Sequence, residues 1–165
     1  MIPIRSATAP DRFDEYRQKV AGTNIDPRSL LSTDYFNTFN SVIMLLDMLP
    51  DAPDLLDEIV QWQFYDYVGH FKASGLDFAA LAIEAYEFSP ADLRAAFDSK
   101  VNGMRIVVED SVRMLRHLHE AGEDQAMGLA ARQAVALLQS MMSEGNAIVH
   151  GNDASSTQAN IDALF

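Results

Sequence analysis

Residues 89–151 read SPADLRAAFDSKVNGMRIVVEDSVRMLRHLHEAGEDQAMGLAARQAVALLQSMMSEGNAIVHG, and this stretch decides the fold. Ser89-Pro90-Ala91-Asp92 is a helix start: Ser89 can cap, Pro90 suits the first helical position, and Asp92 favours the positive end of the dipole. No proline follows. Phe97, Val101, Met104, Val108, Ser111, Leu115 and Leu118 recur at steps of four and three, a heptad-like stripe. The other faces carry Asp98, Asn102, Arg105, Glu109, Arg113 and Arg116. Gly122 is the expected C-cap, and Glu123-Asp124 open a return helix. Met127, Ala131, Ala134, Leu138, Met141, Gly145 and Ile148 repeat the spacing. Val135, Leu137, Met142 and Val149 widen the apolar face, and Gly151 ends it. The expected core is therefore a long antiparallel helical hairpin over 89–151.

At 1.5 Å per residue such helices are roughly 40–50 Å long. A compact domain of this size has a radius of gyration near ~15 Å. A hairpin that outruns its own cladding needs a partner hairpin, so a homodimer is expected.

Upstream, the pattern is shorter and still helical. Asp11 to Val20 forms one short helix, broken at Gly22-Thr23-Asn24, and Ile25-Asp26-Pro27-Arg28 is a turn. Ser32-Thr33-Asp34 starts the next helix, with Leu30 and Leu31 placed to staple onto it. Phe36, Phe39, Ile43 and Leu46 make its buried stripe, and Pro50 stops it. Asp51 and Asp54 bracket Pro53 at another start, continued by Leu55, Leu56, Ile59, Val60 and Trp62. Gly69 and Gly75 limit regular structure in the aromatic run after Trp62. Asp77 is the expected cap of a last short helix, Phe78 to Phe88. No stretch alternates as a strand does. The expected fold is all-α: a helical bundle over 1–151, built on the hairpin with the shorter N-terminal helices packed on it. A linker and a short C-terminal interaction helix follow over 152–165.

The chain has 165 residues, net charge −12 and no cysteine. Phosphate binding needs a basic face and none is visible, which argues against nucleic acid and against an anionic membrane surface. The absence of cysteine removes disulfides, thiolate metal sites and cysteine nucleophiles. Met1 to Asp14 contains no apolar signal core, and the longest aliphatic run, Val42 to Leu46, is far short of a membrane span. A cytoplasmic location is expected.

Candidate chemistry is sparse. Helical bundles hold paired metals with Glu-x-x-His pairs. None of His70, His117, His119 and His150 has Glu three residues earlier, and His117 and His119 suit the negative end of a helix dipole. No metal or other cofactor is expected. There is no Gly-x-Ser-x-Gly, no Walker loop and no Gly-x-Gly-x-x-Gly, so no catalytic residue is named. Trp62, Tyr65, His70 and Tyr86 are the candidate lining of a small-ligand or metal pocket, the alternative reading as sensor or enzyme.

After the linker composition of Gly151 to Thr157 comes Gln158-Ala159-Asn160-Ile161-Asp162-Ala163-Leu164-Phe165. Residues 157–165 resemble the receiver-binding peptide of flagellar motor switch proteins, Ser-Gln-x-acidic-Ile-Asp-Ala-Leu-Leu/Phe. Gln158, Ile161, Asp162, Ala163 and Leu164 match; Thr157 stands for Ser and Asn160 for the acidic residue. The resemblance implies a short amphipathic helix that binds a response-regulator receiver domain. Ile161, Leu164 and Phe165 would be its apolar anchors, with Gln158 and Asp162 as polar contacts. Such recognition is helix-in-groove with ordering on binding. The layout is also similar to the chemotaxis receiver phosphatase, a long hairpin, a linker and a receiver-binding helix. That family carries Asp and Gln four apart on the hairpin. Here Gln125, Gln133 and Gln139 lack Asp four residues before them, which leaves a phosphatase only as an alternative. The expectation is a helical adaptor in bacterial signalling, not an enzyme.

Overall fold

A computed structural model describes residues 9–151, and their side chains from Arg12 onward. The linker and the receiver-binding segment, with Gln158, Ile161, Asp162, Leu164 and Phe165, lie outside the described residues. The described chain is all-α. Its helices are α1 (Ala9–Lys19), α2 (Asn37–Met48), α3 (Leu56–Val60), α4 (Tyr67–Ser74), α5 (Ala79–Tyr86), α6 (Ala91–Glu120) and α7 (Asp124–Val149), with short 3-10 turns at 33–36, 49–51 and 53–55. Among these residues no helix is long and apolar enough to cross a membrane.

The chain divides into two compact units. One takes residues 9–35, 65–99 and 144–151 of the described chain, the other 36–64 and 100–143.

The first unit is built around aromatic rings and one unusual loop. Pro27 and Arg28 turn the chain so that Asp26 N donates to Leu31 O at 2.8 Å and Leu30 N to Asp26 O at 2.7 Å. Leu30 sits at φ +60°, a left-handed conformation that costs a side-chain-bearing residue about 1–2 kcal/mol. Its full burial, and that of Leu31, offsets the cost. Ser29, also fully buried, donates from Oγ to Val149 O at 2.5 Å and accepts from Leu31 N, tying the loop to the last turn of α7. Ser32 Oγ accepts from Asp34 N at 3.2 Å and so caps the 3-10 turn that precedes α2.

Two expected caps do not form. Phe78 occupies the N-cap of α5 with no side-chain bond, so Asp77 does not cap it. Ser89 N still bonds back to Tyr86 O, which draws the residue into the end of α5; its buried Oγ has no hydrogen-bond partner among the described residues. Gly69 does not interrupt α4. The helix starts one turn earlier, at Asp66, whose carboxylate accepts from Gly69 N at 2.7 Å, and ends at Gly75, φ +71°.

The second unit is an aliphatic bundle. Phe39, Val42 and Leu46 of α2, Ile59 of α3, Met104 of α6, and Ala131 and Leu138 of α7 are all fully buried. The stripes expected from spacing are the buried faces of both long helices; Ser111, Leu118 and Met141 are half-buried. The turn between them is a Schellman cap: Glu123 N donates to Leu118 O and Gly122 N to His119 O, with Gly122 at φ +73°. The α6 and α7 segments of this unit run antiparallel and close. A Cβ added at Gly103 would lie 2.9 Å from Met141 Cε, nineteen residues beyond Gly122 as Gly103 is nineteen before it. At Gly128 a Cβ would lie 3.3 Å from Pro50 Cβ, and the bare backbone there seats the 3-10 turn at 49–51 on α7.

Candidate functional site

The sequence points to Trp62, Tyr65, His70 and Tyr86. The structure places the last three in the first unit and Trp62 in the second. Trp62 donates from Nε1 to Thr38 O at 3.0 Å and packs its ring on Phe39 and Phe64. Tyr65 is exposed, and its carbonyl accepts from Tyr35 Oη at 2.7 Å.

His70 and Tyr86 belong to a tight aromatic cluster. Tyr67 stacks on Tyr86 with centroids 4.9 Å apart and meets Phe97 edge-on at 5.6 Å; Tyr35 meets His70 and Phe97 edge-on at 5.5 and 5.6 Å. These are contact distances, so the rings fill one another's space. Tyr67 Oη accepts from Ser32 N at 2.9 Å, and Tyr86 Oη donates to the Asp98 carboxylate at 2.8 Å. Burial raises the Tyr86 phenol's pKa, and the neighbouring Asp98 charge raises it further. Tyr86 is therefore a hydrogen-bond donor and not a base at neutral pH. Burial pushes the His70 pKa down, against a hydrogen bond to the Asp34 main chain, so the ring is neutral. His70 Nε2 is buried with no hydrogen-bond partner among the described residues. The cluster holds one unpaired polar atom within a packed aromatic core.

A polar clamp sits where α7 ends. Asp26 Oδ2 lies 3.0 Å from His150 Nδ1 and 2.9 Å from the Arg28 guanidinium, whose Nε donates to Asp26 Oδ1. Burial works to raise the Asp26 pKa, but the bonds from Arg28 and His150 outweigh it and hold the carboxyl at about 2. Arg28 also lies along Gly151, φ +96°, at the last described residue. The end of α7 is thus anchored to the 26–28 turn.

The third feature is a groove of about 260 Å³ between α6 and α7 of the second unit. The buried Leu115 and Ala134 and the half-buried Ser111 line it together with Val107, Met114, Ala130 and Leu137, and Asp110 and Gln133 add its polar groups. Met114 is 53% and Leu137 49% exposed. Asp110 is paired with Arg113 one turn on. Spacing assigns Leu137 to the widened apolar face, yet Leu137 is half in water, as is Met114, which lies off the expected stripe. The signal is present as a repeat: Ile106-Asp110-Met114 on α6 and Leu129-Gln133-Leu137 on α7, each apolar-polar-apolar at steps of four. Ile106 and Leu129 are exposed too. Residues at that spacing share one helix face, so each long helix has a second stripe beside its buried one.

Among the described residues no three His, Asp or Glu side chains converge as metal ligands. Compared with known families, characterised proteins and solved structures, the chain matches none.

Proposed function

We propose that this protein is a helical adaptor: a bundle built on the α6–α7 hairpin, clad by the shorter N-terminal helices, that works through protein–protein contacts. The observation that carries this reading is the groove of the hairpin, where the large apolar side chains Met114 and Leu137 are left in water, with Ile106 and Leu129 exposed elsewhere on the same two helices. Exposed apolar side chains gathered on one face are the mark of an interaction surface.

The partner class comes from the resemblance of residues 157–165 to a receiver-binding peptide. In this reading the segment orders as an amphipathic helix on a response-regulator receiver domain, with Ile161, Leu164 and Phe165 as anchors and Gln158 and Asp162 as polar contacts. The clamp of Asp26, Arg28 and His150 supports it, since it holds the end of α7 and so gives the tail a rigid base.

The test is a calorimetric titration of receiver domains, phosphorylated and not, against the full chain. Binding that is lost in the Ile161→Asp, Leu164→Asp variant is the expected result. Equal binding by that variant, or no receiver bound at all, removes the tail from the proposal.

A further inference from the structure

The contact of Gly103 with Met141 sets the register of the hairpin in the second unit. At 1.5 Å rise per residue, positions on the two helices whose numbers sum to about 244 lie at one level. The groove then has three levels. Val107 and Leu137 share the first, Asp110, Ser111, Gln133 and Ala134 the second, and Met114 and Ala130 the third. The order is apolar, polar, apolar, and it reads the same from either end.

A surface with that order is complementary to itself. A two-fold axis through the groove's middle lays the polar level of one copy on the polar level of the other, and the apolar levels on apolar levels. In the orientation with the axis along the helices, Asp110 of each copy meets Gln133 of the other. A carboxylate accepts and an amide donates, so the pair forms twice. Met114 and Leu137 are the knobs, and the small side chains at Ser111, Ala130 and Ala134 leave the holes.

Charge points the same way. The chain carries −12, and two copies repel wherever acidic faces meet. Among the residues that line this groove only Asp110 is charged, and it is neutralised by Arg113. The face is close to neutral, which removes the penalty for bringing two of them together.

We propose that the open face of the α6–α7 hairpin seats a second copy of this chain, docked two-fold with Met114 and Leu137 in each other's grooves and Asp110 against Gln133. The proposal rests on reading that face as an interaction surface; it does not depend on the tail.

Sedimentation of the full chain gives the mass directly. Twice the 18.3 kDa of one chain is expected, falling to one chain in Leu137→Glu and Met114→Glu, with circular dichroism unchanged because both positions are exposed. Gln133→Glu, which sets carboxylate against carboxylate, weakens the dimer by about tenfold or more. Since the protein has no cysteine, Leu137→Cys supplies one labelling site, expected to react slowly in the dimer and quickly once Met114→Glu is added. A monomeric wild type overturns the proposal, as does a dimer untouched by Leu137→Glu and Met114→Glu. If the thiol of the Leu137→Cys variant is shielded in a monomer and released by Ile161→Asp, Leu164→Asp, the occupant is the tail and the second copy is wrong. Failure of receiver binding leaves the mass unchanged, so the two readings fail separately.

Discussion

The two units solve the same packing problem by different means. The first closes a long loop onto helix ends, and it does so with buried polar ties: Ser29 to Val149, Tyr35 to Tyr65, Tyr67 to Ser32. A loop has main-chain groups without helical partners, and burial obliges it to find others. The second is mostly helix, whose main chain is satisfied internally, so aliphatic burial carries it. The surfaces differ accordingly. Of nine large exposed hydrophobic side chains among the described residues, seven belong to the second unit and only Tyr65 and Leu76 to the first. The difference teaches where to look for partners: the first unit is closed upon itself, and the second keeps apolar surface to cover.

The largest test of that contrast is in the aromatic core. Phe97, 1% exposed between Tyr35 and Tyr67, should cost about 3–5 kcal/mol as Phe97→Ala in urea unfolding. A loss under about 1 kcal/mol would mean that the rings do not hold the first unit.

The second unit offers a sharper pair. Leu137 and Leu138 are neighbours, one half in water and one fully buried. Leu138→Ala should cost about 2–5 kcal/mol, and Leu137→Ala about 0.5 kcal/mol or less within one chain. Equal effects would place the groove side in the core. Chemical denaturation followed by Trp62 fluorescence reads both.

Smaller effects test the polar ties. Ser29→Ala strips Val149 O and Leu31 N of a buried partner and should cost about 1–3 kcal/mol by thermal unfolding. Asp26→Asn tests the clamp by its pH dependence. The folded carboxyl is held at about 2, below its ordinary 3.8. A depressed acid contributes its full stability above the unfolded value and loses it as pH falls through the folded one. Wild type should therefore exceed the variant by about 1–2 kcal/mol at neutral pH, discounted for the exposed Arg28 partner. The gap should narrow below about pH 3.8 and close near pH 2. A gap constant down to pH 2 would mean that the carboxylate's charge plays no part.

The hairpin turn tests a purely local effect. Gly122 at φ +73° meets no atom that a Cβ would strike, so Gly122→Ala carries only the left-handed backbone cost, about 1–2 kcal/mol. No change in melting temperature would show the turn able to adopt another conformation.

Much of this was legible in the chain itself. Heptad spacing on both sides of Gly122 determined α6, α7 and their buried faces, because a helix's side chains meet water or core with a period that short-range geometry sets. Ser32, Pro50, Pro53, Gly75 and Gly151 marked boundaries for equally local reasons. Asp77 and Ser89 carry the residue type of a cap and do not act as caps, since α5 starts one residue later and ends two residues earlier than the pattern alone puts it. Only the tertiary structure decided the rest. Trp62 was bonded to Thr38 O, His70 and Tyr86 were packed into one aromatic cluster, Asp26 was brought to His150 across 124 residues, and Met114 and Leu137 were turned outward. The spacing of an apolar stripe says that it wants covering. Which stripe the chain covers with its own helices depends on contacts between segments far apart in sequence, and those are settled only when the helices pack.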